Sequence, residues 1–528
     1  MQTRIFLLLF LMYFPYLCSA QEIIPFPNHY EQKEGQLNVP KVVTISTNGE
    51  FSSLIPEFVK TAKRFSIQAK GKGENGFIQL IWNAALYNPE EYRLNISSNV
   101  ITIEAGCANG CFYGLQSALQ LISNAGVGGS ISCAFIQDKP RYGWRGLMLD
   151  ESRHFIGMKE VKSLLDMMAL QKLNRFHWHL TDSQGWRIEI KQYPLLTTIG
   201  GIGNLTDPNA PAKYYTQAEI AEIVEYAKQR FIEVIPEIDM PGHATSATKS
   251  YPEFSGGGSE RLPDFTFNPG KDVTYTFLTN ILKEVTTLFP SQYIHIGGDE
   301  VHFGNQQWNI LPDIQQLMKT HELKNLVEVE HYFLNRMSDS IKNLNKTVIG
   351  WDEVVNADLP ISNTIVMWWR HEKPNQLEKA INKGYQVILC PRIPLYFDFI
   401  QHASHKYGRK WSSGAYAPIE SVYEFPGTEF TSGVSISTPL VMGIQADLWT
   451  ELIHTPERLQ FMIYPRLSAL SEAAWTDDRV KKFENFNSRM DRMMTIYKNF
   501  GITFFDYRNP DSSPEIDGPS KKTQKTVE

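Results

Sequence analysis

The chain has 528 residues, 42% of them hydrophobic and 20% charged, enough to bury a large core and to divide into two or three domains. A net charge of −6, from 51 basic and 57 acidic residues, provides no general attraction for nucleic acid or an anionic membrane surface. Five cysteines in a chain of this length exclude a fold built on disulfides.

The first twenty residues read as an export signal. Arg4 precedes an apolar run from Ile5 to Leu17, and Cys18, Ser19 and Ala20 supply a small-residue ending. Cleavage after Ala20 would place the mature protein in a periplasm or outside the cell. A membrane anchor, for which the run is short, and lipidation at Cys18 are the rival readings. No later stretch is apolar enough to span a bilayer. Of the remaining cysteines, Cys107 bridging to Cys111 or Cys133 and free buried thiols are both open.

Residues 21–139 carry strand-like runs at Lys41 to Ser46, Phe77 to Trp82, Tyr92 to Ile96 and Val100 to Glu104, then a helix-like run from Tyr113 to Ile122. They predict a small α+β domain. It has no cluster of His, Asp and Glu, so it reads as a support module.

Near Pro140 the pattern changes, and residues 140–507 alternate short apolar runs with helical stretches. The runs are Arg145 to Asp150, Arg175 to Thr181, Ile232 to Ile238, Gln292 to Ile296, Thr347 to Trp351, Thr364 to Trp369, Gln386 to Leu389 and Met442 to Trp449. Amphipathic stretches fill most of the gaps, at Lys159 to Lys172, Thr216 to Gln229, Asp272 to Leu288, Leu326 to Asn343, Gln376 to Lys383 and Pro456 to Ala474. This is the alternation of an α/β (β/α)8 barrel of the TIM type. The link between the fifth and sixth runs is too short for a full helix, and the long link from Cys390 to Val441 predicts loops over the barrel mouth. A last helix is predicted from about Arg479 to Asn499. Residues 508–528 lack apolar periodicity and predict a disordered tail.

Polar residues keep phase with the strand ends, where a barrel places its active face. Asp150 and Arg153 follow the first strand. His177, His179 and Asp182 mark the second, and Glu237, Asp239 and His243 the third. The fourth runs through a paired glycine into Asp299 and Glu300; on an extended backbone these two would point to opposite sides and so hold different substrate atoms. Trp351 and Asp352 end the fifth strand, Trp368 and Trp369 the sixth, Tyr396 and Asp398 follow the seventh, and Asp447, Trp449 and Glu451 close the set. Two chemistries fit: metal-assisted hydrolysis, with His177 and His179 on one strand face, and sugar chemistry, in which tryptophans and carboxylates form an apolar pocket with hydrogen-bond acceptors. The second is favoured, because metal sites seldom need three tryptophans. A non-catalytic sugar-binding protein is a third reading, which does not require two acids beside a glycine turn.

His295-Ile296-Gly297-Gly298-Asp299-Glu300 resembles the signature of the β-N-acetylhexosaminidases, glycoside hydrolase family 20. So do Glu91 to Leu94, Gly110 to Gln116, Ser152 to Phe155, His177 to Asp182, Pro236 to His243, Gly350 to Glu353 and Leu448 to Glu451. The order and spacing of these matches extend from about Ile24 to Trp475. The resemblance implies exo-acting removal of terminal β-linked N-acetylhexosamine from an oligosaccharide or glycoconjugate, through the substrate's own acetamido group, with no metal and no other cofactor. It also implies roles. Glu300 is the acid and base, Asp299 orients the acetamido N–H, and Tyr396 holds the acetamido oxygen. Trp351, Trp368 and Trp449 enclose its methyl group and the sugar face. Arg153, Asp398 and Glu451 take the ring hydroxyls, and Asp182 with His243 supports Glu300. Ser183 stands where the family pattern leads one to expect a second acid.

Overall fold

The computed structural model of the chain describes residues 22–519; residues 1–21, on which the expected export signal falls, and residues 520–528 lie outside the described residues. The first seven strands are β1 (His29–Asn38), β2 (Val43–Thr47), β3 (Ala69–Gly71), β4 (Ile78–Trp82), β5 (Tyr92–Ile96), β6 (Ile101–Ala105) and β7 (Ser130–Asp138). They form a mixed sheet in the order β1-β7-β5-β6-β4-β2-β3. β5 and β6 alternate fully buried with half-buried residues, and the helix Ala108–Ala125 packs against this sheet, buried continuously from Gly110 to Ile122. The sequence pattern misses β1, β3, β7 and the helix Leu54–Arg64. β1 shows why: Leu37 is its one buried residue, so the strand is held by its pairing with β7 and carries almost no hydrophobic signal.

The rest of the chain is organised by eight parallel strands: β8 (Trp144–Asp150), β9 (Arg175–His179), β12 (Glu233–Met240), β13 (Tyr293–Gly297), β14 (Thr347–Trp351), β15 (Thr364–Trp368), β16 (Gln386–Leu389) and β17 (Val441–Leu448), with a two-strand hairpin, β10 (Thr181–Asp182) and β11 (Gly185–Trp186), after β9. The eight close into a barrel in the order β12-β13-β14-β15-β16-β17-β8-β9. Strands covered on both sides must be apolar on both faces; β8 is buried at every residue, which is why it reads as a continuous run.

The helices outside the barrel begin where the sequence supplies caps. Thr216 and Glu219 form a reciprocal capping box before Gln217–Lys228, and the Asn325 and Thr455 side chains accept from Glu328 N and Arg458 N. Each such cap stabilises its helix by about 1 kcal/mol. The predicted helix from Pro456 to Ala474 is two, Pro456–Ile463 and Arg466–Trp475, broken around Pro465. Between β14 and β15 there are only 3-10 turns, Asp352–Ala357 and Ile361–Asn363. The last helix, Phe483–Asn499, starts later than predicted, because Asp477 accepts from the backbone and side chain of Arg479 and holds that stretch in a turn.

The seven-stranded sheet meets the barrel at the N-terminal ends of β8 and β9. Arg145 Nη2 is 2.6 Å from Glu90 Oε1, and Lys172 Nζ is 3.1 Å from Asp138 Oδ2 with both side chains fully buried. Asp138 also accepts from Tyr92 Oη at 2.7 Å and from Trp475 Nε1 at 2.9 Å. The described cysteines, Cys107, Cys111, Cys133 and Cys390, are all free thiols.

The predicted structureless tail requires correction over its described part. Glu515 accepts from the backbone N–H groups of Lys406 and Tyr407 at 2.5 and 2.9 Å and pairs with Arg458 Nη1 at 3.1 Å. A single carboxylate satisfying three donors seats residues 510–519 on the long β16–β17 connection. Such a contact leaves no hydrophobic periodicity to read.

Candidate active site

At the C-terminal end of β13 the backbone turns through Gly297 (φ 68°), Gly298 (φ 85°) and Glu300 (φ 54°). A side chain on Gly297 would place its Cβ 1.8 Å from Asp239 Oδ1, so the glycine is required by space as well as by φ. The different surroundings of Asp299 and Glu300 therefore arise from a left-handed turn, and the strand alternation expected from the sequence does not apply. The Asp299 side chain is 11% exposed, whereas that of Glu300 is 31% exposed.

His243, itself at φ 54°, faces both acids. Its Nε2 lies 3.7 Å from Asp299 Oδ2 and 3.8 Å from Glu300 Oε2, and its Nδ1 lies 3.0 Å from Asp182 Oδ1. Burial alone would lower the His243 pKa, but Asp182 and Asp299 raise it to about 9. The ring is thus an imidazolium at neutral pH, held by Asp182 against the two acids. Burial raises Asp299 to about 6, with His243 pulling it down and Glu300 adding to the rise. Asp182 resists burial and stays well below the usual range because Arg153, His243 and His179 surround it. Ser183 donates its backbone N–H to Asp182 Oδ1, so the departure at this position leaves the Asp182 and His243 pair intact.

Arg153 Nη2 is 2.7 Å from Asp182 Oδ2 and its Nη1 is 3.5 Å from Asp150 Oδ2. Gln184 Oε1 accepts from its Nε at 3.1 Å, and its guanidinium lies 4.9 Å over the Trp449 ring. Four aromatic rings form a circuit beside this group. Trp351 and Trp369 are 6.4 Å apart, Trp369 and Tyr396 are 6.3 Å and near parallel, Tyr396 and Trp449 are 6.1 Å, and Trp449 and Trp351 are 5.9 Å. Burial pushes the Tyr396 hydroxyl well above its ordinary pKa, so it remains a proton donor.

Trp368 does not join this circuit. It belongs to the outer core between strand and helices and donates Nε1 to the Lys373 carbonyl at 3.3 Å. Along β15 and the residue after it, the inner cluster takes Ile365, Met367 and Trp369, and the outer core takes Val366 and Trp368. The predicted tryptophan is one residue out of register, and on a strand one residue reverses the face.

Next to Trp351, the buried Glu237 lies among the histidines of β9 and β13. Its oxygens lie 2.9 Å from His177 Nε2, 2.6 Å from His179 Nδ1 and 2.9 Å from His295 Nδ1, and Oε1 accepts from Trp351 Nε1 at 3.1 Å. The shared strand face predicted for His177 and His179 is present and is organised by this carboxylate. Burial lowers His177 to about 4, while His179, which burial would also lower, is raised to about 10 by Glu237 and Asp182. His177, Glu237 and His295 come close enough to share a metal ion, as do His243, Asp299 and Glu300.

Asp398 and Glu451 close the far side, bridged by Arg409 at 3.0 and 2.7 Å. Arg409, Trp369, Gln184 and Glu353 are the residues that sequence reasoning did not assign. Glu353 accepts from Trp369 Nε1 at 3.0 Å and lies 3.0 Å from Arg370 Nη1; burial beside Asp352 raises its pKa well above the usual range. For Trp369 the signal was strand parity. For Arg409 there was none, because it lies in a long loop.

Comparison with known proteins yields a consistent set. The profile of the glycosyl hydrolase family 20 catalytic domain matches residues 142–478, and that of the family's domain 2 matches residues 20–139. A beta-hexosaminidase of Porphyromonas gingivalis is 35% identical over 512 residues, covering 91% of this chain and 64% of its own length. One of Vibrio furnissii is 33% identical, covering 86% of this chain and 76% of its own length. Among solved structures, the exo β-N-acetylglucosaminidase of Vibrio harveyi in complex with N-acetylglucosamine superposes with a TM-score of 0.83 at 31% identity, over 92% of this chain and 78% of its own.

Proposed function

The chain belongs to glycoside hydrolase family 20, and on that premise we propose that it removes terminal β-linked N-acetylglucosamine or N-acetylgalactosamine from glycans with retention of configuration. The acetamido carbonyl oxygen of the substrate attacks the anomeric carbon as the glycosidic bond breaks, and Glu300 gives its proton to the departing oxygen. The resulting oxazolinium ion is opened at the same carbon by a water whose proton returns to Glu300.

Asp299 accepts the acetamido N–H and faces the positive charge that grows on nitrogen, a placement that acts mainly in the transition state. The neutral Tyr396 hydroxyl donates to the acetamido oxygen. Trp351, Trp369 and Trp449 confine the methyl group, which holds the internal nucleophile near attack geometry and can remove roughly 7 to 11 kcal/mol of barrier at its limit. Arg153, Asp398 and Glu451 take the hydroxyls on the other edge of the ring.

The observation that carries this reading is the pairing of a buried acid, Asp299, with a second, more open one, Glu300, against one His243 imidazolium. A conventional retaining pair flanks the scissile bond about 5 Å apart; here both acids face the same imidazolium from one turn. Product analysis on a panel of β-linked N-acetylhexosamine oligosaccharides tests it. Release of the single terminal sugar as the β anomer is expected, and release of a disaccharide or of the α anomer would overturn it.

Export belongs to the same proposal. N-terminal sequencing of protein recovered outside the cytoplasm is expected to begin at Gln21, and a chain still carrying its leader would refute cleavage after Ala20.

A further inference from the structure

Arg409 lies in the long connection between β16 and β17, yet its position is fixed from several sides. Its backbone N–H donates to the Asp398 carbonyl at 3.1 Å, and its own carbonyl accepts from Ile400 N at 3.1 Å. Gly408, just before it, has φ +132°, and a Cβ there would lie 2.7 Å from Ile400 Cγ2 and 3.1 Å from the Asp398 carbonyl. Lys406 and Tyr407 are held by Glu515, and Arg458 donates to the Tyr407 carbonyl. The loop is thus tied both to the strand end and to the C-terminal segment.

The guanidinium takes one oxygen from each acid. Nε lies 3.0 Å from Asp398 Oδ2 and Nη2 lies 2.7 Å from Glu451 Oε1. Arg409 meets Asp398 Oδ2 through an ion pair and Glu451 Oε1 through a hydrogen bond; both Asp398 oxygens and Glu451 Oε2 are buried and accept no aligned hydrogen bond from the described residues. The Arg409 side chain itself is 37% exposed, against 1% for Asp398 and 11% for Glu451.

We propose that Arg409 is a positioning residue that divides these carboxylates, occupying one oxygen of each and leaving the other to accept a hydroxyl from the far edge of the terminal sugar, with Glu515 holding the loop that delivers it. This rests on the hexosaminidase reading. The charged groups facing the trio are Arg153, Asp182, Glu300 and Arg466. Burial already raises Asp398 to about 7 against the pull of Arg409, and Glu451, which burial would raise, is kept low by Arg409 and Arg153. Without Arg409 both acids climb, and a carboxyl that holds its proton no longer offers a free pair of acceptors.

The test uses R409M, R409K and E515A in the full chain, with an aryl β-N-acetylglucosaminide and its 4-deoxy and 6-deoxy counterparts as substrates. In the parent, KM is expected to rise as pH falls through about 7. R409M, with circular dichroism and melting matched to the parent, should raise KM at pH 7 by about tenfold or more while kcat changes by less than about threefold. Its KM inflexion should move to higher pH, and the KM penalty for deleting a far-edge hydroxyl should shrink. R409K keeps the charge but not the fork and should fall between, which preserves the test if R409M misfolds. E515A should shift KM in the same direction by a smaller factor. A folded R409M or R409K with parental KM and parental pH profile would overturn the proposal. A parent that releases no sugar from any of these substrates would instead overturn the hexosaminidase reading.

Discussion

Asp299 and Glu300 are adjacent in the chain and have different neighbours, so their substitutions should fail in different ways. Asp299→Asn keeps the size and loses the charge facing the acetamido nitrogen; turnover should fall by roughly a hundredfold or more. In the same folded variant a thiazoline mimic of the cyclised intermediate should bind far more weakly, and parental inhibition would refute contact between Asp299 and the acetamido group. Glu300→Gln should cost about a hundredfold to ten-thousandfold on oligosaccharides and less on aryl glycosides whose leaving group departs without a proton. The acids also set the pH range. Protonation of Asp299 near pH 6 removes the charge on one side, and loss of the His243 proton near pH 9 removes the cation facing both acids on the other. Rate is therefore expected to fall below about 6 and above about 9, and His243→Gln should abolish the upper limb. Trp369→Ala should cripple turnover in a folded protein, whereas Trp368→Ala should act through stability, costing about 3–5 kcal/mol as a buried aromatic deletion.

Elements were legible in the sequence in proportion to how much of their cause lies in their own residues. The barrel strands are buried on both faces, so β14 and β16 could be delimited to the residue. β1 is held by a neighbour and gave no such pattern. The turn after β13 shows the same division: its glycines and acids mark a site in any reading, but the left-handed φ of Glu300 follows a glycine turn pressed against Asp239 and Val354 and cannot be inferred from residue order. Trp368 was taken in place of Trp369 by a single step of strand parity, and Arg409 is delivered by a loop tied to a distant carboxylate. Gly297→Ala tests the turn directly. A Cβ against Asp239 Oδ1 at that φ forces the backbone to move, with about 1–3 kcal/mol of strain; activity should drop more than melting temperature, because the displaced residues are Asp299 and Glu300.

For the molecule as a whole, chelation decides between the two chemistries that fit the strand ends. Prolonged dialysis against a chelator is expected to leave turnover unchanged; loss restored by zinc would bring His177, Glu237 and His295 forward as ligands. The sheet of residues 29–138 meets the barrel opposite the catalytic turn, through Arg145 with Glu90 and through the buried cluster of Lys172, Asp138, Tyr92 and Trp475. Breaking a buried pair leaves an uncompensated charge worth roughly 3–5 kcal/mol, so separating the two parts is costly whether or not a peptide bond joins them. The covalent link around Lys139 and Pro140 is then dispensable once the parts have met. Segments 22–139 and 140–519 produced as independent polypeptides should copurify and recover hydrolysis, behaving as a heterodimer whose subunits happen to be encoded in one reading frame.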